Sequence, residues 1–245
     1  VSQRALADDL RFRVEDVLAL RPDGLVRRTT TSGTWRAGGG AFERTICMLS
    51  LFGPDGRAAR QETFDSDREA EAQARFDELV RSPVDGTTAV RRGDPGGRRH
   101  VRANAATAYH ARFDAALAAR DFDALAALNS ESFQEIDHPT GSTYGFHAAV
   151  ASLQRLFRSR DPYYQVEPLA TLGPSLLLIR RRTGASAAAS GRYDVGAYEN
   201  QAIQLMEVDE RGLQWRSEVF AVDCLGDAIV RLYERYAELL PDGPA

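Results

Sequence analysis

The 245-residue sequence has no lysine, so each of its 31 basic residues is an arginine. That absence excludes Schiff-base chemistry and any Walker-type phosphate loop, both of which need a lysine amine. Cysteine is nearly as scarce. Cys47 and Cys224 stand far apart and show no metal-type spacing, and two such residues make no disulfide framework. No apolar run is long enough to span a bilayer, and no signal-peptide pattern is present, so the expected location is the cytoplasm, with no membrane partner. The net charge of −4 and the pI near 5.7 supply no field that would gather nucleic acid. The runs Arg27-Arg28, Arg91-Arg92, Arg98-Arg99 and Arg180-Arg181-Arg182 read as solvated strand faces and linker. The Ala, Gly and Arg weighting points to a GC-rich bacterial genome. The opening at Val1 reads as a fragment or a processed chain.

With 43% hydrophobic and 27% charged residues, the chain has the composition of an ordinary folded protein. The stretch 81–99 is rich in Pro, Gly and Arg and lacks apolar periodicity, so it reads as a linker. The two sides of it carry the same series of signals. On the left, Val14-Glu15, Leu25-Val26-Arg27-Arg28, Ala41-Phe42-Glu43 and the run 46–52 lead to a turn at Pro54-Asp55-Gly56. Arg60-x-Glu62-x-Phe64 and a helical pattern over 70–79 follow. On the right, Val166-Glu167, Leu178-Ile179-Arg180-Arg181, Ala197-Tyr198-Glu199 and the run 203–208 lead to a turn at 209–212. Arg216-x-Glu218-x-Phe220 and a helical pattern through Leu239 follow. Only the right side has a front half: a helix pair over 105–128, a short strand over 133–138, a turn at 139–141 and a helix over 145–157. Helices first and meandering strands after predict an α+β fold. The expected organisation is a partial domain over 1–80, a linker over 81–100 and a complete domain over 101–240.

These motifs resemble the nuclear transport factor 2-like superfamily, which includes ketosteroid isomerase, SnoaL-like polyketide cyclases and limonene epoxide hydrolase. The resemblance covers about residues 103–238. It rests on Arg120-Asp121-Phe122-Asp123-Ala124-Leu125, on Glu135-Ile136-Asp137-His138-Pro139, on Gly145 before a helix, and on the closing Asp-x-x-Gly turn with its Phe-ending strand. It implies a cone-shaped curved antiparallel sheet with helices on one side. It also implies that the two halves pair through their sheets as an intramolecular pseudo-dimer. The ketosteroid isomerase mechanism places its aspartate base at Asp137. Its two oxyanion donors fall on Phe113, which has no donor, and on Gln204, which offers a neutral amide only.

The concave face is expected to hold Asp137, Gln204, Arg216 and Glu218, with Tyr109, Tyr144, His138 and His147 nearby. Asp137 as base with Glu218 or His138 as partner would give cofactor-free isomerase, cyclase or hydrolase chemistry on a small, mostly apolar organic molecule. Against this, Asp137 sits where an Asp often caps a turn, and Arg216–Glu218 and Arg60–Glu62 read equally as structural ion pairs. Two histidines on different elements make no metal centre. Tyr193 and Tyr198 read as lip residues, and Trp35 and Trp215 as packing. Two readings stay open: a small-molecule enzyme, and a non-catalytic ligand-binding or protein-interaction module of a larger regulatory protein. The remaining expected partners are a second copy of the chain or upstream domains of a longer parent.

Overall fold

The computed structural model describes residues 7–36, 38–80, 101–187 and 196–241. The predicted linker and Tyr193 lie outside the described residues. The chain divides into two compact units, Val1–Val101 and Arg102–Ala245.

The first unit is an antiparallel meander of β1 (Ala7–Arg21), β2 (Gly24–Trp35), β3 (Ala41–Phe52) and β4 (Ala58–Asp65), closed by helix α1 (Glu69–Leu79). Alternation along the strands sends Leu18, Val26, Cys47 and Leu49 to one face, where Ala72 and Phe76 of α1 complete a buried cluster. Gln73 joins the helix to the sheet by donating to the Leu18 carbonyl at 2.9 Å. Gly24 is needed at the β1–β2 turn because a Cβ there would stand 2.5 Å from the Ser50 carbonyl.

The second unit opens with α2 (Ala105–Ala118) and α3 (Phe122–Ala127). A capping box between Asn104 and Thr107 starts α2, and Asp121 caps α3 by accepting from the Ala124 amide. The chain continues through β5 (Asn129–Asp137), β6 (Ser142–Gly145) and α4 (Phe146–Arg158). The meander β7 (Tyr163–Leu172), β8 (Leu176–Ala185), β9 (Tyr198–Val208) and β10 (Gln214–Ala221) follows, and α5 (Leu225–Leu239) ends the unit. The sheet order is β6-β5-β10-β9-β8-β7, with β5 parallel to β10 and the other pairs antiparallel. This is the α+β class expected, and the order of elements is the one read from the sequence, with the short strand β6 added. No helix among the described residues is long and apolar enough to cross a membrane.

Both faces of this sheet are covered. Helices α2 and α4 lie over the inner face, while α5 packs on the outer face against β8, β9 and β10. Leu225, Ala228, Ile229 and Leu232 recur at helical spacing and form the buried stripe of α5. Beside that stripe, Glu218 is 2% exposed and held by three partners. Arg216 Nε and Arg231 Nε each donate at 3.0 Å, and His138 Nε2 lies 2.9 Å away. The same arrangement occurs in the first unit. Glu62 accepts from Arg60 at 2.7 Å and from Arg75 of α1 at 3.2 Å, and Arg75 also bonds Glu78. Arg231 bonds Glu234 at the equivalent spacing. In each unit, a strand carboxylate is therefore gripped by the arginine two residues before it and by an arginine of the following helix.

Burial alone would raise the Glu218 carboxyl, but the bonds from His138 and Arg216 and the charge of Arg231 hold it below its ordinary range. A lowered folded-state pKa contributes stability above the unfolded value and loses it as pH falls through the folded one. Glu218→Gln should cost about 3 kcal/mol near neutral pH and flatten the loss of stability below about pH 4, read by denaturant unfolding across that range. In the first unit, the fully buried Phe76 sets a second expectation. Phe76→Ala should cost about 3–5 kcal/mol in the same measurement.

Candidate functional site

Between α2, α4 and the inner face of the six-stranded sheet lies a cavity of about 600 Å³. Its apolar wall comes from Phe113, Leu125, Phe133, Leu153 and Leu156. Phe113 narrows the space without plugging it, with its ring 5.5 Å from that of Tyr164. Tyr144 and Tyr198, 38% and 37% exposed, stand at the open end. Tyr109 and Gln214, both buried, stand at the closed end.

Alternation decides which predicted side chains meet here. On β5, Asp137 shares a face with Glu135 and Phe133, and all three line the cavity, as do Tyr109, Phe113, Tyr144 and Gln204. Ile136 pairs with Glu218 and points the other way, so Glu218 and Arg216 belong to the outer face under α5. His138 joins them, stacked on Phe220 at 4.3 Å. The expectation that Glu218, His138 and Arg216 share the concave face with Asp137 is thus corrected: the sheet stands between them, and Asp137 has no acid/base partner in Glu218 or His138. His147 lies on α4, exposed, with its ring edge-on to Phe146 and outside the cavity wall. Among the described residues, no group of three or more His, Cys, Asp or Glu side chains is gathered as metal ligands would be.

Among the wall residues that were not foreseen are Glu135, Tyr164, Arg181 and Gln214. Glu135 could have been found, since it sits two residues before Asp137 on the same strand. Arg181 is the middle of three arginines read as solvated. Arg180 and Arg182 fit that reading and pair with Glu167 and Glu199 on the other face. Arg181, one residue out of step, points inward. It hydrogen-bonds Tyr164 and donates to Gln204 Oε1 at 3.2 Å. Burial works against its charge, yet Tyr164 and Glu135 hold its pKa above the ordinary value. Burial pushes the Tyr164 phenol upward.

The polar groups of the wall are largely spent on one another. Gln204 Nε2 donates to Ser217 Oγ at 2.7 Å and lies 3.5 Å from Glu135 Oε2, while Ser217 Oγ donates to the same Glu135 oxygen at 3.2 Å. The amide at the second oxyanion-donor position is therefore bound into the wall, and Phe113 at the first has no donor. Asp137 Oδ1 accepts from both the amide and the hydroxyl of Thr140 at 2.9 Å, closing the 137–140 turn. A broader, more open groove of about 800 Å³ runs past the edge strand β7. Asp114, Tyr163, Arg180 and Arg182 line it, and Tyr164 is shared with the chamber wall.

No family model matches the chain, and no curated protein matches it. Solved structures do, 118 chains in all. One is a candidate polyketide cyclase from Xanthomonas campestris, 19% identical, with a TM-score of 0.38 over 52% of this chain and 96% of that one. Another is a candidate ketosteroid isomerase from Kribbella flavida, 18% identical, with a TM-score of 0.36 over 47% of this chain and 76% of that one. A third is a Mycobacterium tuberculosis protein solved with estradiol-17beta-hemisuccinate, 16% identical, with a TM-score of 0.39 over 48% of this chain and 94% of that one. Each of these likenesses covers about half of this chain.

Proposed function

We propose that the second unit is a binding chamber for a small, mostly apolar organic molecule. One observation carries this reading: an open-ended cavity of about 600 Å³ with one apolar flank and one polar flank. Its size and mixed lining are those of a small-molecule site. Binding is favoured over acid/base turnover by how the two carboxylates are held. Asp137 already accepts two hydrogen bonds through one oxygen, and Glu135 faces the half-buried Arg181 guanidinium while accepting from Ser217.

We also propose that the two units repeat one sheet-and-helix pattern, joined by a linker over 81–100. Support comes from the shared ion-pair frame, Arg60–Glu62–Arg75–Glu78 and Arg216–Glu218–Arg231–Glu234, at identical spacings.

The binding proposal is tested by filling the chamber. Ala149 of α4 lines the cavity. Ala149→Trp should weaken binding of the fluorescent probe anilinonaphthalene sulfonate by at least about tenfold, because the indole takes the volume that an apolar ligand would bury. Probe affinity that is unchanged in a folded Ala149→Trp protein would count against the chamber as the binding site.

A further inference from the structure

At the closed end of the chamber the backbone of β10 departs from regular alternation. Gln214 pairs with Val208 of β9, but Arg216 pairs with Glu207, so Trp215 is an extra residue in the ladder. Trp215 turns to the outer face, where the Arg235 guanidinium covers its ring at 5.3 Å. Gln214 is thereby turned inward, against the parity set by Arg216 and Glu218, and becomes part of the chamber wall. It is 5% exposed there. Tyr109 of α2, fully buried, donates its hydroxyl to Gln214 Oε1 at 2.7 Å. Burial raises the Tyr109 phenol, which keeps it in the donor form. In this orientation the amide oxygen takes the phenol proton. Gln214 Nε2 is then a buried donor with no acceptor among the described residues.

A buried N–H without a partner is costly, and native proteins rarely retain one without a use. The terminal torsion of a glutamine is broad and roughly two-fold, so the amide can adjust to an acceptor that arrives beside it. The surroundings define that acceptor. Leu125, Phe113 and Phe133 line the same chamber, which disfavours a bare anion. The carboxylates stand further along the wall: Glu135 pairs with Ser217, three residues along β10 from Gln214, or roughly 10 Å of strand, and Asp137 pairs with Val219, two residues beyond.

We propose that Gln214, oriented by Tyr109, is a specificity-determining donor that seats an uncharged acceptor oxygen of the ligand, such as a ketone, ester or ether oxygen, at the closed end of the chamber. This inference rests on the binding-chamber reading and adds the chemical class of ligand to it.

The test uses the full chain and two probes of matched shape, acetylnaphthalene and isopropylnaphthalene, substituted at the same ring carbon and titrated calorimetrically. The ketone should bind about fivefold or more tighter than the hydrocarbon. In Gln214→Leu and Gln214→Met, the ratio of the two affinities should fall to about one, with circular dichroism reporting the fold. If both variants fail to fold, the wild-type ratio alone decides. A wild-type ratio near one, with both probes bound, overturns the role of Gln214 and leaves the chamber standing. A ratio preserved in both folded variants overturns that role as well. Failure of both probes to bind wild-type protein overturns the chamber reading, and this inference with it.

Discussion

The chamber depends on the parallel pairing of β5 with the free edge of β10. Four consecutive partners, Arg216 with Gln134 through Val219 with Asp137, join the two strands, and the His138 amide extends the ladder to the Val219 carbonyl. Every other pairing in the second unit is antiparallel and joins neighbours in the chain. This one closes a loop of about eighty residues, and such non-local closure must be repaid by the contacts it makes possible. What it makes possible is the second wall: β5 and β6 lengthen the sheet past β10, and α4, packed on β5, roofs the inner face. A four-stranded meander with its closing helix, as described in the first unit, does not by itself build such a wall.

The two faces of the larger sheet use charge in opposite ways. Outside, Glu207 and Glu218 are almost wholly buried, and each is bonded to an arginine of α5. Breaking one partner of such a pair leaves an uncompensated charge, so these residues are tied to stability. Inside, Glu135, Asp137 and Arg181 share the wall with hydroxyl and amide groups that mute them. The sheet thereby keeps its strongest ion pairs away from the space that a ligand would enter, and leaves neutral groups at the closed end.

Much of the fold was legible because periodicity is a local signal. The helical stripe of α5, the turn at 209–212 and the 120–125 phrase between α2 and α3 all depend on residues close in sequence. The site was legible only in part. Asp137, Tyr109, Phe113, Tyr144 and Gln204 were placed on the chamber, whereas Arg216 and Glu218 were assigned to the wrong face. Position along a strand does not reveal which of two parities faces inward, and one shift of register exchanges every side chain. Arg181 was missed for the same reason, hidden between two arginines that do meet solvent. Gln214 could not have been placed by counting at all, because the extra residue at Trp215 breaks the count.

A helix laid on a sheet through apolar contacts alone has little to resist rotation or a slip along its axis, since one greasy stripe fits another in several settings. The carboxylate fork repeated in both units removes that freedom. Arg75 and Arg231 each reach both oxygens of the strand carboxylate while bonding a glutamate one turn further along their own helix. A slipped helix would lose both partners together. Strand and helix are in this way indexed to each other like two parts located by a dowel, and the carboxylate of the last strand becomes the seat that sets the pose of the closing helix.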